Sequence, residues 1–156
     1  MTERSSSPHI LVADDDADIR SLLTQVLESN GAKVTAVADG RAAVEAALMR
    51  PYDACVLDLE MPVKTGLEAC RELRSMAFTR HLPILVLTGR TDEAAINAAF
   101  AAGVGDFLNK PVHSVLLWCR LSNLIELKKL QDSKENFAAL NELADSKKET
   151  NVKFQP

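Results

Sequence analysis

The residues of this chain best suited to chemistry are carboxylates that stand where apolar runs stop. Asp58 closes Ala54-Cys55-Val56-Leu57 and is followed by Leu59-Glu60-Met61-Pro62, while Asp14, Asp15 and Asp16 follow His9-Ile10-Leu11-Val12-Ala13. A lone carboxylate in an apolar interior costs several kcal/mol, so such groups belong at the end of a buried segment, in a crevice. Taken alone, Asp58 suits a cap on the next helix equally well. Two further runs change the picture: Leu82-Pro83-Ile84-Leu85-Val86-Leu87 ends in Thr88-Gly89, and Val104-Gly105-Asp106-Phe107-Leu108 is followed by Asn109-Lys110-Pro111. If these ends converge, Asp14, Asp15 and Asp58 share a crevice with a hydroxyl and an ammonium. Carboxylates crowded at 4 Å repel by roughly 1 to 4 kcal/mol per pair, so the cluster needs a cation. Hard oxygen donors suit Mg2+, which is held through one or two carboxylates, keeps several waters and is completed by phosphate oxygens. Thr88 and Lys110 are then the donors to the remaining phosphoryl oxygens, and Asp58 is the nucleophile for an aspartyl phosphate. Asp16 and Asp18 suit the first turn of a helix, where the macrodipole favours negative charge.

The elements that must position these groups follow from the hydropathy pattern. His9–Ala13, Lys33–Val37, the run ending at Asp58, Leu82–Leu87 and Val104–Leu108 read as five short strands. Between them lie helical segments, the first carrying Ile19, Leu22, Leu23, Val26 and Leu27 and ending at Asn30-Gly31. Asp39-Gly40 opens the second, with an alanine face at Ala42, Ala43, Ala46 and Ala47. The third follows the loop Val63-Lys64-Thr65-Gly66 and buries Leu67, Cys70, Leu73 and Met76. The fourth runs from Thr91-Asp92 to Gly103 with Ala94, Ala95, Ala98, Ala99 and Ala102, and the last starts at Val112. Strands alternating with helices predict an α/β fold, a doubly wound parallel sheet with helices on both faces. Its ligand crevice lies beyond the carboxyl ends of the strands, which is where the chemistry-bearing residues fall.

A chain of 156 residues suits one domain with an appendage. Its net charge of −4 argues against direct binding to nucleic acid or to an anionic membrane. No apolar run approaches the length of a membrane span and the opening residues lack a signal-peptide core, so a cytoplasmic address is expected. Cys55, Cys70 and Cys119 form no metal-ligand spacing and are read as core fillers. His9, His81 and His113 are scattered and are read as neither ligands nor acid/base groups.

Ile10-Leu11-Val12-Ala13-Asp14-Asp15-Asp16, Val56-Leu57-Asp58-Leu59-Glu60-Met61-Pro62, Leu87-Thr88-Gly89 and Lys110-Pro111 together resemble the signature of the receiver domain of two-component response regulators. The resemblance covers about residues 9 to 128. It implies a flavodoxin-like five-stranded sheet in the order 2-1-3-4-5, with Asp58 as phosphoacceptor. It further implies Mg2+ held by Asp15, Asp58 and the backbone carbonyl of Glu60, with Asp14 acting through water. Thr88 corresponds to the switch hydroxyl, Phe107 to the switch aromatic, Lys110 to the phosphoryl-contacting lysine and Pro111 to a cis-proline. The implied function is a phosphorylation-dependent switch in a two-component or phosphorelay system. A sensor histidine kinase or histidine phosphotransfer protein supplies the phosphoryl group, and a downstream protein or effector domain reads a changed surface around the fourth helix, fifth strand and last helix. Such a protein catalyses only its own phosphorylation and dephosphorylation and is otherwise not an enzyme.

Two other classes share parts of this pattern. An aspartyl-phosphate phosphatase of the haloacid-dehalogenase type needs a second carboxylate two residues after the nucleophile and a threonine two further on; Glu60 stands at the first position, but Pro62 stands at the second, and the separate acidic pair and Lys110-Pro111 are no part of that pattern. A flavodoxin-like electron carrier needs a phosphate-binding loop after the first strand, where this chain has three aspartates.

Residues 1–8 are expected to be a disordered lead, 9–128 the receiver domain, and 129–156 a helical extension or linker with a frayed end. From Leu116 to Leu143 there is no proline or glycine, and Leu117, Leu121, Leu124, Leu127, Leu130, Phe137, Leu140 and Leu143 recur at largely helical steps. This extended C-terminal helix suits a homodimer or a connection to an effector, although Lys128, Gln131 and Lys134 interrupt the seam. No helix-turn-helix follows residue 130, so direct transcription control by this chain is not expected. Glu60 and Arg90 are expected to overhang the crevice from neighbouring loops, where their opposite charges could form a partial lid.

Overall fold

The computed structural model describes residues 6–90 and 92–153, with side chains through residue 148. Residues 1–5 of the expected lead, Thr91 and the last three residues of the frayed end lie outside the described residues. Among the described residues, five strands, β1 (His9–Ala13), β2 (Lys33–Val37), β3 (Ala54–Asp58), β4 (Ile84–Thr88) and β5 (Asp106–Asn109), alternate with five helices. The helices are α1 (Ala17–Ser29), α2 (Gly40–Met49), α3 (Gly66–Ser75), α4 (Glu93–Ala101) and α5 (Ser114–Lys153). The sheet is parallel throughout and its order is β2-β1-β3-β4-β5.

Period-two alternation divides the apolar strand residues between two cores. Leu11, Ala13, Cys55, Leu57, Ile84 and Val86 face one core with Ala43, Val44 and Ala47 of α2, Ala69, Cys70 and Leu73 of α3, and Ala99 of α4. Ile10, Val12, Ala54, Val56, Leu85 and Leu87 face the other with Leu23 and Leu27 of α1 and Leu117, Leu121 and Ile125 of α5. β3 and β4 are covered on both faces and buried at every position, which is why they are apolar up to their carboxyl ends, where Asp58 and Thr88 stand.

Each of the first four helices starts on a side-chain cap, typically worth about 1 kcal/mol. Asp16 accepts the Asp18 and Ile19 amides, Asp39 that of Ala42, and Asp92 that of Ala95. Thr65 and Glu68 form a reciprocal capping box at α3. Gly103, at φ +93°, lets the chain reverse after α4.

Several expected boundaries shift for identifiable reasons. Leu82 closes a turn onto Thr79 O, so β4 begins at Ile84. The Val104 amide still bonds Ala99 O behind α4, which delays β5 to Asp106. The last helix starts at Ser114 rather than Val112. Met76 caps α3 instead of lying within it, and Ala69 is a buried residue of that face. Ala94 is exposed, so the alanine face of α4 packs only in part. Cys119 is exposed, unlike Cys55 and Cys70, because Leu117, Leu121 and Ile125 already define the inward stripe of α5.

Burial on α5 ends at Ile125. The segment from Glu126 onward is a separate unit whose Leu127, Leu130, Phe137, Leu140 and Leu143 are all exposed. Among the described residues, no helix is long and apolar enough to cross a membrane.

Candidate active site

The strand register brings the carboxylates together. Ala13 pairs with Leu57, so Asp14 and Asp58 are the next residues on adjacent strands and extend the same face as Val12 and Val56. Thr88 pairs with Asn109, which puts Lys110 one step beyond, and the Lys110 amide bonds Thr88 O at 2.8 Å. The Lys110–Pro111 peptide is cis.

Asp14 is fully buried and Asp58 is 4 % exposed, whereas Asp15 lies in the open. Carboxylate oxygens of the three lie within 4.8 Å of one another. Lys110 Nζ sits between two of them, 3.1 Å from Asp14 Oδ2 and 3.2 Å from Asp58 Oδ1. Asp14 is held from several sides: its Oδ1 accepts the Asp16 amide at 2.9 Å, its amide bonds Val37 O, and its carbonyl accepts a bond from the Arg20 guanidinium at 2.7 Å.

Burial and then the charge of Asp14 push the Asp58 carboxyl up to about 6, against the opposing pull of the Lys110 ammonium and the Glu60 amide. Burial lowers the Lys110 ammonium, but the Asp14 hydrogen bond and the Asp58 charge outweigh it and raise the group above its ordinary value. One ammonium leaves a surplus of negative charge among three carboxylates. An oxygen-only donor set with uncompensated negative charge fits a hard divalent cation such as Mg2+ and disfavours the softer metals that seek sulfur and nitrogen.

Thr88 is buried but turned away from this cluster. Its Oγ1 accepts the Arg90 amide at 2.9 Å and lies 3.2 Å from Arg90 O. Phe107 is half-buried, edge-on to Phe100 of α4. Glu60 and Arg90 do border one cleft of about 310 Å³, together with Leu59, Ala94, Ala95 and Ala98. They do not pair, however, because the Arg90 guanidinium takes both oxygens of Asp92, each at 3.2 Å. Asp92 is two residues away and already fixed as the α4 cap, so the short loop closes that pair at less entropic cost than the span to Glu60.

Asp14, Asp15, Asp58 and Lys110 are thus gathered as the sequence predicts, with Thr88 and Phe107 on the neighbouring α4 side. Arg20 and Gly66 are supports that the sequence pattern does not single out. Arg20 gives no local signal, since its bond is to a backbone carbonyl six residues earlier; Gly66 was legible only as a loop glycine. A Cβ on Gly66 would lie 2.1 Å from Asp58 O.

A family model described as the response regulator receiver domain matches residues 10–121. The response regulator MprA of Mycobacterium bovis is 40 % identical over 132 residues, which is 85 % of this chain and 56 % of that protein. Its Mycobacterium tuberculosis counterpart is 39 % identical over the same length, again 56 % of that protein. The chain therefore spans little more than half the length of these curated relatives. Among solved structures, the receiver domain of a sensor histidine kinase from Pseudomonas aeruginosa, determined with magnesium coordinated in its active site cleft, is 33 % identical with a TM-score of 0.73. That alignment covers 77 % of this chain and 98 % of the other. A response regulator receiver domain protein from Clostridium thermocellum aligns at 28 % identity and a TM-score of 0.73, covering 80 % of this chain and 98 % of its own. Neither an electron carrier nor a phosphatase emerges from these similarities, and with the sheet order and the matched span they show that the chain belongs to the response regulator receiver domain family.

Proposed function

We propose that this receiver is a phosphorylation-dependent switch whose Asp58 accepts a phosphoryl group from a phosphohistidine on a sensor histidine kinase or phosphotransfer protein. The observation that carries this reading is the placement of Lys110 Nζ between Asp14 and Asp58, within a carboxylate cluster that a single ammonium does not neutralise. Asp15, Asp58 and the Glu60 carbonyl would hold Mg2+, with Asp14 acting through water. The ion would offset charge on the carboxylates and the incoming phosphoryl group.

Asp58 is the nucleophile, and at pH 7 it is mostly ionised despite its elevated pKa of about 6. Lys110 is fixed through its own amide to Thr88 O and donates from Nζ to the phosphoryl oxygens. Thr88 must release the Arg90 backbone before its hydroxyl can turn to the phosphoryl group, and Phe107 then follows inward. This changes the surface of α4, β5 and the first turns of α5 for a downstream protein or effector domain. The protein's only catalysis is of its own phosphorylation and dephosphorylation, and a cytoplasmic address suits exchange with a kinase there.

Asp15→Asn tests the metal assignment, because Asp15 is exposed and contributes little to the core. Calorimetric titration is expected to give at least about a hundredfold weaker Mg2+ binding, and acetyl phosphate labelling should fall with it. Unchanged Mg2+ affinity would remove Asp15 from the ligand set.

The receiver unit is proposed to span 9–128, with 129–156 as an extension that pairs with a second copy. Four exposed large apolar residues of that extension, Leu130, Phe137, Leu140 and Leu143, support this reading. Light scattering is expected to give a concentration-dependent dimer for the full chain and a monomer for a chain ending at Lys128. Equal monomer masses would remove the homodimer.

A further inference from the structure

The ring of Phe107 on β5 is met edge-on by Phe100 of α4, with centroids 5.9 Å apart and planes at 80°. This is the favoured geometry for an aromatic pair, in which the positive edge of one ring faces the negative face of the other. On the Thr88 side of Phe107 lies a cavity of only about 10 Å³, lined by Leu59, Val86, Thr88, Ile96 and Ala99 among others. That is room for about one water and far too little for a phenyl ring. Thr88 forms part of its wall, and its hydroxyl is engaged by the Arg90 backbone. Phe107 therefore has a stabilised place beside Phe100 and no room on its Thr88 side until Thr88 moves.

Phe100 itself is not required by the core. It is 47 % exposed on a nine-residue helix whose buried residue is Ala99. An aromatic ring at such a position, among Ala94, Ala95, Ala98, Ala99 and Ala101, contributes chiefly through the ring it touches. We propose that Phe100 is a latch: its ring holds Phe107 outward and sets how strongly the unphosphorylated conformation is favoured, so that a phosphoryl group on Asp58 must work against the loss of this aromatic pair. The proposal rests on the switch reading above and adds to it a residue on α4 that is neither a proposed metal ligand nor the phosphoacceptor. In a two-state protein, weakening contacts present in only one state raises the apparent affinity of any ligand that selects the other.

Beryllofluoride with Mg2+, a tetrahedral stand-in for the phosphoryl group, reads this bias directly as an apparent Kd on the full chain. Phe100→Leu keeps apolar bulk and Phe100→Ala removes it. Both are expected to bind beryllofluoride about three- to tenfold more tightly, or about 0.7 to 1.4 kcal/mol at 1.36 kcal/mol per tenfold. Phe100→Tyr keeps the ring and is expected to retain wild-type affinity. In a Phe107→Ala background, Phe100→Leu is expected to change nothing, since the ring it releases is gone. Wild-type affinity in both the Leu and Ala variants would overturn the latch. So would a gain in Phe100→Ala that Leu abolishes, which would indicate bulk, or an equal gain without Phe107. A wild-type chain that takes up no beryllofluoride would overturn the phosphoacceptor reading and the latch with it, an outcome distinct from a normal affinity that the substitutions leave unmoved.

Discussion

Asp58→Asn protein is expected to take up no phosphoryl group from acetyl phosphate and, without metal, to unfold at a higher temperature than the wild type. The first effect follows from loss of the nucleophile. The second follows from electrostatics: Asp58 is 4 % exposed beside the fully buried Asp14, and its carboxyl is pushed up to about 6 in the folded protein from an ordinary 3.8. Because folding raises this pKa, the folded chain holds the proton more tightly than the unfolded one. The favourable contribution is complete below about pH 4 and is lost as pH rises through about 6. Above that, ionised Asp58 is a net burden that the amide of Asn does not carry. A gain of about 1 kcal/mol, or roughly 4 °C, is expected at pH 7.5 in chelator, shrinking toward zero near pH 4. Mg2+ should narrow the gap by stabilising the wild type more, since a ligand stabilises the folded state further the more tightly it binds it. Thermal melts at both pH values, with and without Mg2+, check the account. A variant less stable than the wild type at pH 7.5 would mean that the carboxylate is compensated.

Gly66→Ala is expected to lose about 1 to 3 kcal/mol, against the ordinary preference of a helix for alanine over glycine, which is worth about 1 kcal/mol. An added Cβ would lie 2.1 Å from Asp58 O, 2.9 Å from its carbonyl carbon and 3.0 Å from Leu59 Cα. All three atoms are backbone, so no side chain can swing aside. Either α3 retreats or the Asp58 peptide shifts, and the second moves the phosphoacceptor itself. Gly89 is the control, since nothing lies within 4 Å of a Cβ there and Gly89→Ala should stay within about 0.5 kcal/mol. Urea unfolding of both variants decides the matter: equal midpoints for Gly66→Ala and the wild type would mean that the loop yields freely.

What the sequence made legible were features encoded in local pattern. The apolar runs ending at Ala13, Asp58 and Thr88 fall in strands because an interior parallel strand cannot carry a polar residue except at its ends. Asp16 reads as a helix start and is the cap of α1. Boundaries set by turn bonds escape the hydropathy pattern: the Val104 amide still bonds Ala99 O behind α4, which the apolar run from Val104 to Leu108 does not reveal. Residue type alone makes Cys119 a core filler, but its exposure depends on which stripe of α5 meets the sheet. Opposite charge alone points the Arg90 guanidinium over the crevice toward Glu60, yet the cap residue Asp92, only two positions on, takes it. The pairing of Phe100 with Phe107 depends on how α4 sits against β5, which neither residue's neighbours in sequence encode.

The measurement that bears most directly on Asp58 as phosphoacceptor is chemical mapping of the modified residue. Wild-type chain incubated with acetyl phosphate and Mg2+ is treated with borohydride, which reduces an acyl phosphate to the alcohol, and then digested and sequenced by mass spectrometry. The predicted result is conversion of Asp58 alone to homoserine, dependent on Mg2+ and absent from untreated protein. Reduction at Asp14 or Asp15 with Asp58 intact, or phosphate recovered on a serine, threonine or histidine, would contradict it.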